Sequence, residues 1–144
     1  MPSEKLIAKK DNGVGWIILN NPERHNAISL DMWTAAMEAM EDFRTDKSVR
    51  VVVVTGAGGK AFASGADISK FKDERQEAAA VAHYQQTTQK AYDTVLGMPI
   101  PTIAMIRGYC IGAAPRSPCA ATSASAPRTP SSACRRRSSA WAMA

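Results

Sequence analysis

The residues that could do chemistry are few, and the obvious arrangements fail. Gly56-Ala57-Gly58-Gly59-Lys60 follows a run of valines and looks like a phosphate loop, but its glycine spacing is wrong. Ala61 also stands where a magnesium-binding hydroxyl belongs. No G-x-G-x-x-G is present. His25 and His83 lack metal-ligand spacing, and surface or packing roles are their plain reading. Three cysteines at irregular spacing define neither a disulfide framework nor a zinc site. The backbone offers more. Ala63-Ser64-Gly65-Ala66-Asp67-Ile68 follows a buried strand and opens a helical turn, so the amides near Ala66 are expected to point outward. A second strand exit, Ile106-Arg107-Gly108-Tyr109-Cys110-Ile111-Gly112, sits at an equivalent place. Two strand ends offering N–H groups to one spot make an oxyanion hole, which favours developing negative charge.

The elements that must position these amides alternate. Two short strands, around Leu6 to Lys9 and Gly15 to Leu19, are separated by the turn Asp11-Asn12-Gly13. Asn20-Asn21-Pro22 ends the second. Ser29 is a suitable N-cap for a helix to about Arg44, with Leu30, Trp33, Met37, Met40 and Phe43 as its apolar stripe. Val51 to Thr55 is the β-branched run of a strand buried on both faces of a parallel sheet. A loop to Ser69 follows, then a helix from about Glu77 to Leu96 and a strand from Thr102 to Ile106. This β-β-α-β-α-β order with short links implies an α/β protein.

Composition divides the chain at Gly112. The 144 residues carry a net charge of +5, which invites a nucleic-acid reading. Yet residues 113–144 hold five Arg and no acidic residue, which leaves residues 1–112 with thirteen basic and thirteen acidic groups. All the excess charge therefore lies in an Ala/Ser/Arg/Pro tail without Val, Ile, Leu, Phe or Gly, expected to be disordered or irregular. The run Val51 to Val54 is far short of the ~20 apolar residues of a membrane span. The charged start, MPSEKLIAKK, is unlike a secretory leader. A cytoplasmic protein without membrane or nucleic-acid partners is the expectation.

Four segments, in order, resemble the crotonase superfamily of enoyl-CoA hydratases and isomerases. They are Asn21-Pro22-Glu23-Arg24-His25-Asn26-Ala27-Ile28; Val51 to Gly56; Lys60-Ala61-Phe62-Ala63-Ser64-Gly65-Ala66-Asp67-Ile68; and Pro99 to Ala104 running to Gly108-Tyr109-Cys110-Ile111-Gly112. The resemblance covers residues 1–112 and stops there. It implies the N-terminal part of a ββα spiral core. It further implies an acyl-CoA thioester substrate, with coenzyme A as part of the substrate and no separate cofactor, and an assembly that in the family is usually a trimer or hexamer. By position, the Ala66 N–H would be the first oxyanion donor and residue 113, here Ala113, the second. Ser64, Gly65, Asp67, Ile68 and Gly112 would line the substrate. Lys60 would lie near the CoA phosphates, or is a solvated loop lysine; Asp67 contacts substrate, or caps the following turn.

The departure begins at the second amide. The family continues with further glycines and an apolar helix, and often a catalytic carboxylate beyond it. Here Ala113-Ala114-Pro115-Arg116 follows Gly112, and Pro115 opposes a helix. If Ala121 to Ser125 is written GCG-ACC-TCC-GCA-TCG, a one-base shift gives Cys or Gly followed by Asp-Leu-Arg-Ile. Ser138 to Ala144 likewise shifts to Lys-Leu-Gly-Leu-Gly-Tyr-Gly. Both are family-like, so the tail reads as off-frame sequence. The expected function is enoyl-CoA hydratase-like, lost in this chain for want of the acid/base residues. The rivals are another crotonase-type reaction (isomerase, dehalogenase or hydrolase) and a non-catalytic module binding nucleic acid through Arg135-Arg136-Arg137.

Overall fold

The computed structural model describes residues 4–67, 78–111 and 123–125. Its elements are β1 (Leu6–Asp11), β2 (Val14–Leu19), a 3-10 turn (Pro22–Arg24), α1 (Leu30–Thr45), β3 (Val51–Gly56), β4 (Ala61–Ala63), α2 (Ala78–Leu96), β5 (Thr102–Met105), β6 (Tyr109–Cys110) and β7 (Ser123–Ser125). Five strands form one sheet in the order β1-β2-β3-β5-β7, and β4 pairs with β6 in a second. The β1–β2 hairpin is antiparallel, and β2–β3, β3–β5 and β5–β7 are parallel. The alternating order read from the sequence is therefore realised.

Register explains the core. Pairs such as Leu6↔Leu19, Ile17↔Val54 and Val54↔Ala104 place their side chains on one face of the sheet. The helices cover that face: Met32, Trp33, Met40 and Phe43 of α1 are buried, as are Tyr84 and Ala91 of α2. Trp33 meets Tyr92 edge to face, with ring centroids 5.4 Å apart, and so joins the two helices. An apolar cavity of about 50 Å³ remains between sheet and helices, lined by Leu19, Met32, Trp33, Phe62, Val95 and Ala104 among others. The buried stripe of α1 is shifted from the one expected. Met32 is fully buried, whereas Leu30 and Met37 lie toward its margins.

Three further expectations need correction. Ser29 occupies the N-cap position with extended backbone, yet its hydroxyl makes no cap bond, and its Oγ is buried without a partner among the described residues. The stretch read as a loop after Gly56 contains β4, and the turn after Met105 contains β6. Each is too short to show a periodic pattern of its own. Thr102–Met105 is an interior strand, with β3 and β7 paired to it on either side. Within the tail, Ser123–Ser125 is a strand, since a backbone ladder needs only the N–H and C=O groups that any non-proline residue carries.

Candidate active site

The site is built on the segment that runs from Lys60 through β4 to Asp67, gripped on both sides. On one side, the Tyr109 N–H donates to the Lys60 carbonyl (3.1 Å) and the Ile111 N–H to the Ala63 carbonyl (3.0 Å). Gly108 makes that approach possible. Its φ is +71°, and a Cβ there would lie 2.0 Å from the Lys60 carbonyl oxygen. On the other side lies the turn from Asn21 to Ile28. The Ile28 N–H donates to the Gly65 carbonyl (2.8 Å), and the Ile28 carbonyl accepts from the Asp67 N–H (2.9 Å). These two bonds make Ile28 and Ala66 a parallel bridge.

That bridge determines where Ala66 points. In a parallel bridge the central residue of one segment makes both hydrogen bonds, and its opposite number makes neither. Ile28 is the former and Ala66 the latter. The Ala66 N–H accordingly faces away from Ile28, and no acceptor among the described residues takes it. Ala66 itself is only partly buried. A partly exposed amide with no acceptor among the described residues, at the end of a clamped segment, can donate to a bound anionic oxygen. The sequence anticipated an outward amide here and attributed it to a helical turn. A bridge to a distant turn aims it, and the helical turn expected at Ile68 lies outside the described residues.

The neighbouring side chains hold the loop. The Ser64 hydroxyl donates to the Arg24 carbonyl (3.1 Å). Asp67 is 4% exposed, and its carboxylate lies 3.5 Å from the Arg24 guanidinium. Gly65, at φ +100°, accepts the Ile28 N–H at its carbonyl. The Lys60 side chain is exposed, while its carbonyl is bound to β6. Lys60, Ser64, Gly65, Ala66 and Asp67 are thus brought together on one loop. Ile68, Gly112 and Ala113 lie outside the described residues. Among the described residues, no group of three His, Cys, Asp or Glu could hold a metal ion, and no helix is long and apolar enough to cross a membrane.

Sequence reasoning assigned no task to three residues of the opposing turn. Asn26 is fully buried at φ +56°. Its Oδ1 accepts from the Asn21 N–H (2.9 Å), and its Nδ2 donates to the carbonyls of Ala57 (2.9 Å) and Ala61 (2.7 Å). Asn21 donates through Nδ2 to the Ala27 carbonyl (3.1 Å). Arg24 meets both Ser64 and Asp67. The local signal was two asparagines flanking a proline turn, which marks a turn without saying what the turn grips.

Residues 9–116 match the family described as enoyl-CoA hydratase/isomerase. The chain belongs to that family. Among its relatives, a mitochondrial Δ(3,5)-Δ(2,4)-dienoyl-CoA isomerase from Mus musculus is 36% identical over 103 residues, 65% of this chain and 31% of its own. A crotonyl-CoA hydratase from Syntrophomonas wolfei is 27% identical over 112 residues, 78% of this chain and 42% of its own. The crystal structure of an enoyl-CoA hydratase/carnithine racemase from Magnetospirillum magneticum superposes with a TM-score of 0.80 at 37% identity, covering 85% of this chain and 46% of that one. The crotonase resemblance is therefore borne out in family and in fold. The chain spans less than half the length of these relatives.

Proposed function

We propose that this chain carries the first half of an acyl-CoA thioester site, in which the Ala66 N–H donates to the thioester oxygen as it gains enolate character. The observation that carries the reading is the Ile28–Ala66 bridge. It leaves the Ala66 amide without an acceptor among the described residues and holds it just beyond β4, the strand that pairs with β6. Ala113 occupies the position of the second donor. Ser64 and Asp67, engaged with Arg24, shape the loop, while Lys60 remains available to phosphate. The two relatives named above share the acyl-CoA class and differ in reaction. That difference supports the class over any one chemistry, with hydration of an α,β-unsaturated thioester as the leading reaction and isomerisation as the second.

The proposal includes loss of turnover in the chain as it stands. Residues 113–144 contain no Asp, Glu or His to carry a proton, and general acid–base assistance is typically worth about 10²–10⁴-fold. The match to the family ends at residue 116, close to the change of composition at Gly112, which supports an off-frame tail. The test is hydration of crotonyl-CoA, followed by loss of thioester absorbance. This chain is compared with a version whose reading frame is restored after codon 112. Activity confined to the restored version is expected, and equal activity in both refutes the assignment. In the restored version, Ala66→Pro removes the donor and is expected to lower turnover by about 10²–10³-fold. Full activity in a folded proline variant removes Ala66 from the mechanism.

A further inference from the structure

We infer that Asn26 is the positioning residue for the Ala66 amide, an inference that rests on the oxyanion role proposed above. Its side chain is fully buried, and both Nδ2 hydrogens are committed, one to the Ala57 carbonyl and one to the Ala61 carbonyl. Those carbonyls bracket the Ala57–Ala61 loop, and Ala61 is the first residue of the segment that ends at Ala66. The Asn26 Oδ1 closes the turn on itself by accepting from the Asn21 N–H, while the Asn26 N–H donates to the Asn21 carbonyl (2.8 Å). Two residues on, Ile28 grips the far end of the same segment through Gly65 and Asp67. One turn therefore holds the segment at its start by a side chain and at its end by the main chain. Holding both ends fixes how far the intervening residues can rotate, and so fixes the direction of the Ala66 N–H. Direction matters because a hydrogen bond weakens steeply as its angle closes below about 120°.

The residue type follows from these demands. A position at φ +56° excludes most side chains but admits Asn or Gly. Two carbonyls to satisfy require two donors on one short side chain. Asp has the shape without the donors, and Gln is a methylene too long for a site with no exposed surface. Gly56 makes the room: a Cβ there would come within 2.8 Å of Asn26 Nδ2 and 2.6 Å of the Ala61 carbonyl oxygen.

Asn26→Gly separates the side-chain grip from the backbone conformation, since glycine accepts the same φ. The readouts are hydrogen exchange at single amides of the full chain and the red shift of a conjugated 2,4-dienoyl-CoA on binding, which reports polarisation of its carbonyl. In Asn26→Gly, protection of the Asp67 amide is expected to fall about tenfold or more while β3 amides keep theirs, as in a local opening. The red shift is expected to shrink by more than about half, because it reports how well donors are aimed at the oxygen. Asn26→Asp should resemble Asn26→Gly near pH 7. It should regain part of the Asp67 protection as the pH falls toward about 5, because a carboxyl facing two carbonyls takes up a proton readily and then donates. Wild-type Asp67 protection and red shift in a folded Asn26→Gly variant would overturn the inference, as would a loss of protection spread equally over β3. If the unmutated chain itself gives no red shift, the acyl-CoA reading fails, and the exchange experiment still decides whether Asn26 sets the bridge.

Discussion

Two glycines with the same backbone angle and different surroundings give the sharpest stability prediction. Gly59 has φ +70° and nothing within 4 Å of a Cβ built on it; Gly108 has φ +71°, with the Lys60 carbonyl oxygen at 2.0 Å and its carbon at 2.5 Å. Gly59→Ala therefore measures the conformational cost alone, about 1–2 kcal/mol. Gly108→Ala carries the same cost and a collision between two backbones. To bring that contact back to 3.0 Å, β4 and the turn before β6 must part by about 1 Å, which breaks the bond from the Tyr109 N–H to the Lys60 carbonyl. That bond is worth about 0.5–1.5 kcal/mol net, and the enforced shift costs about 1–3 kcal/mol more. The expected gap between the variants is thus about 2–4 kcal/mol. With a urea slope of about 1–3 kcal/mol per molar, the midpoints should differ by roughly 1–2 M, with Gly108→Ala the lower. Equal midpoints would mean that β6 does not approach Lys60 as closely as the structure requires. The pairing of the second strand exit with β4 would fall with that result.

Other perturbations test separate parts of the fold. Lys10 reaches Asp46 (2.7 Å) and Asp42 (2.9 Å); its bond, with those from the Ser48 hydroxyl and N–H, holds the Asp46 carboxyl far below its ordinary range, while the two aspartates raise the Lys10 amine. A lowered carboxyl stabilises the fold above about pH 4 and loses that contribution as the pH falls, and a raised amine loses its own above about pH 10. Lys10→Met should accordingly flatten both limbs of stability against pH in denaturation measured from acid to alkali, and unchanged limbs would show that the cluster does not couple to folding. The Trp33 Nε1 is buried with no partner among the described residues, so Trp33→Phe removes an unpaired donor while enlarging the neighbouring cavity. Each of these opposed effects is about 1–2 kcal/mol, and a net change within about 1 kcal/mol is expected from urea midpoints. A loss above about 3 kcal/mol would show that the indole N–H is satisfied after all.

Local pattern was enough to locate the long elements and the loop that matters. The β-branched run at Val51 to Thr55 falls in β3, the turn Asp11-Asn12-Gly13 joins β1 to β2, and the stripe through Trp33, Met40 and Phe43 is buried at the helix period; run, turn and stripe are all visible in the letters. The break in composition at Gly112 was equally plain, because charge and apolar content need no fold to be counted. The ordered motifs also marked Ser64 to Asp67 as the place for a free amide. The cause of that freedom was not legible. It depends on Ile28 bridging Ala66, on Asn26 reaching Ala57 and Ala61, and on Gly108 letting β6 close on Lys60. These pairs lie between about 30 and 50 residues apart along the chain. β4 and β6 are too short to announce a period, and a buried asparagine looks in sequence like any turn residue. Periodicity and composition are sums over neighbours along the chain, so the sequence by itself determined the elements and the candidate loop. The direction of one N–H depends on which distant carbonyls are already taken, and only the tertiary structure decided that.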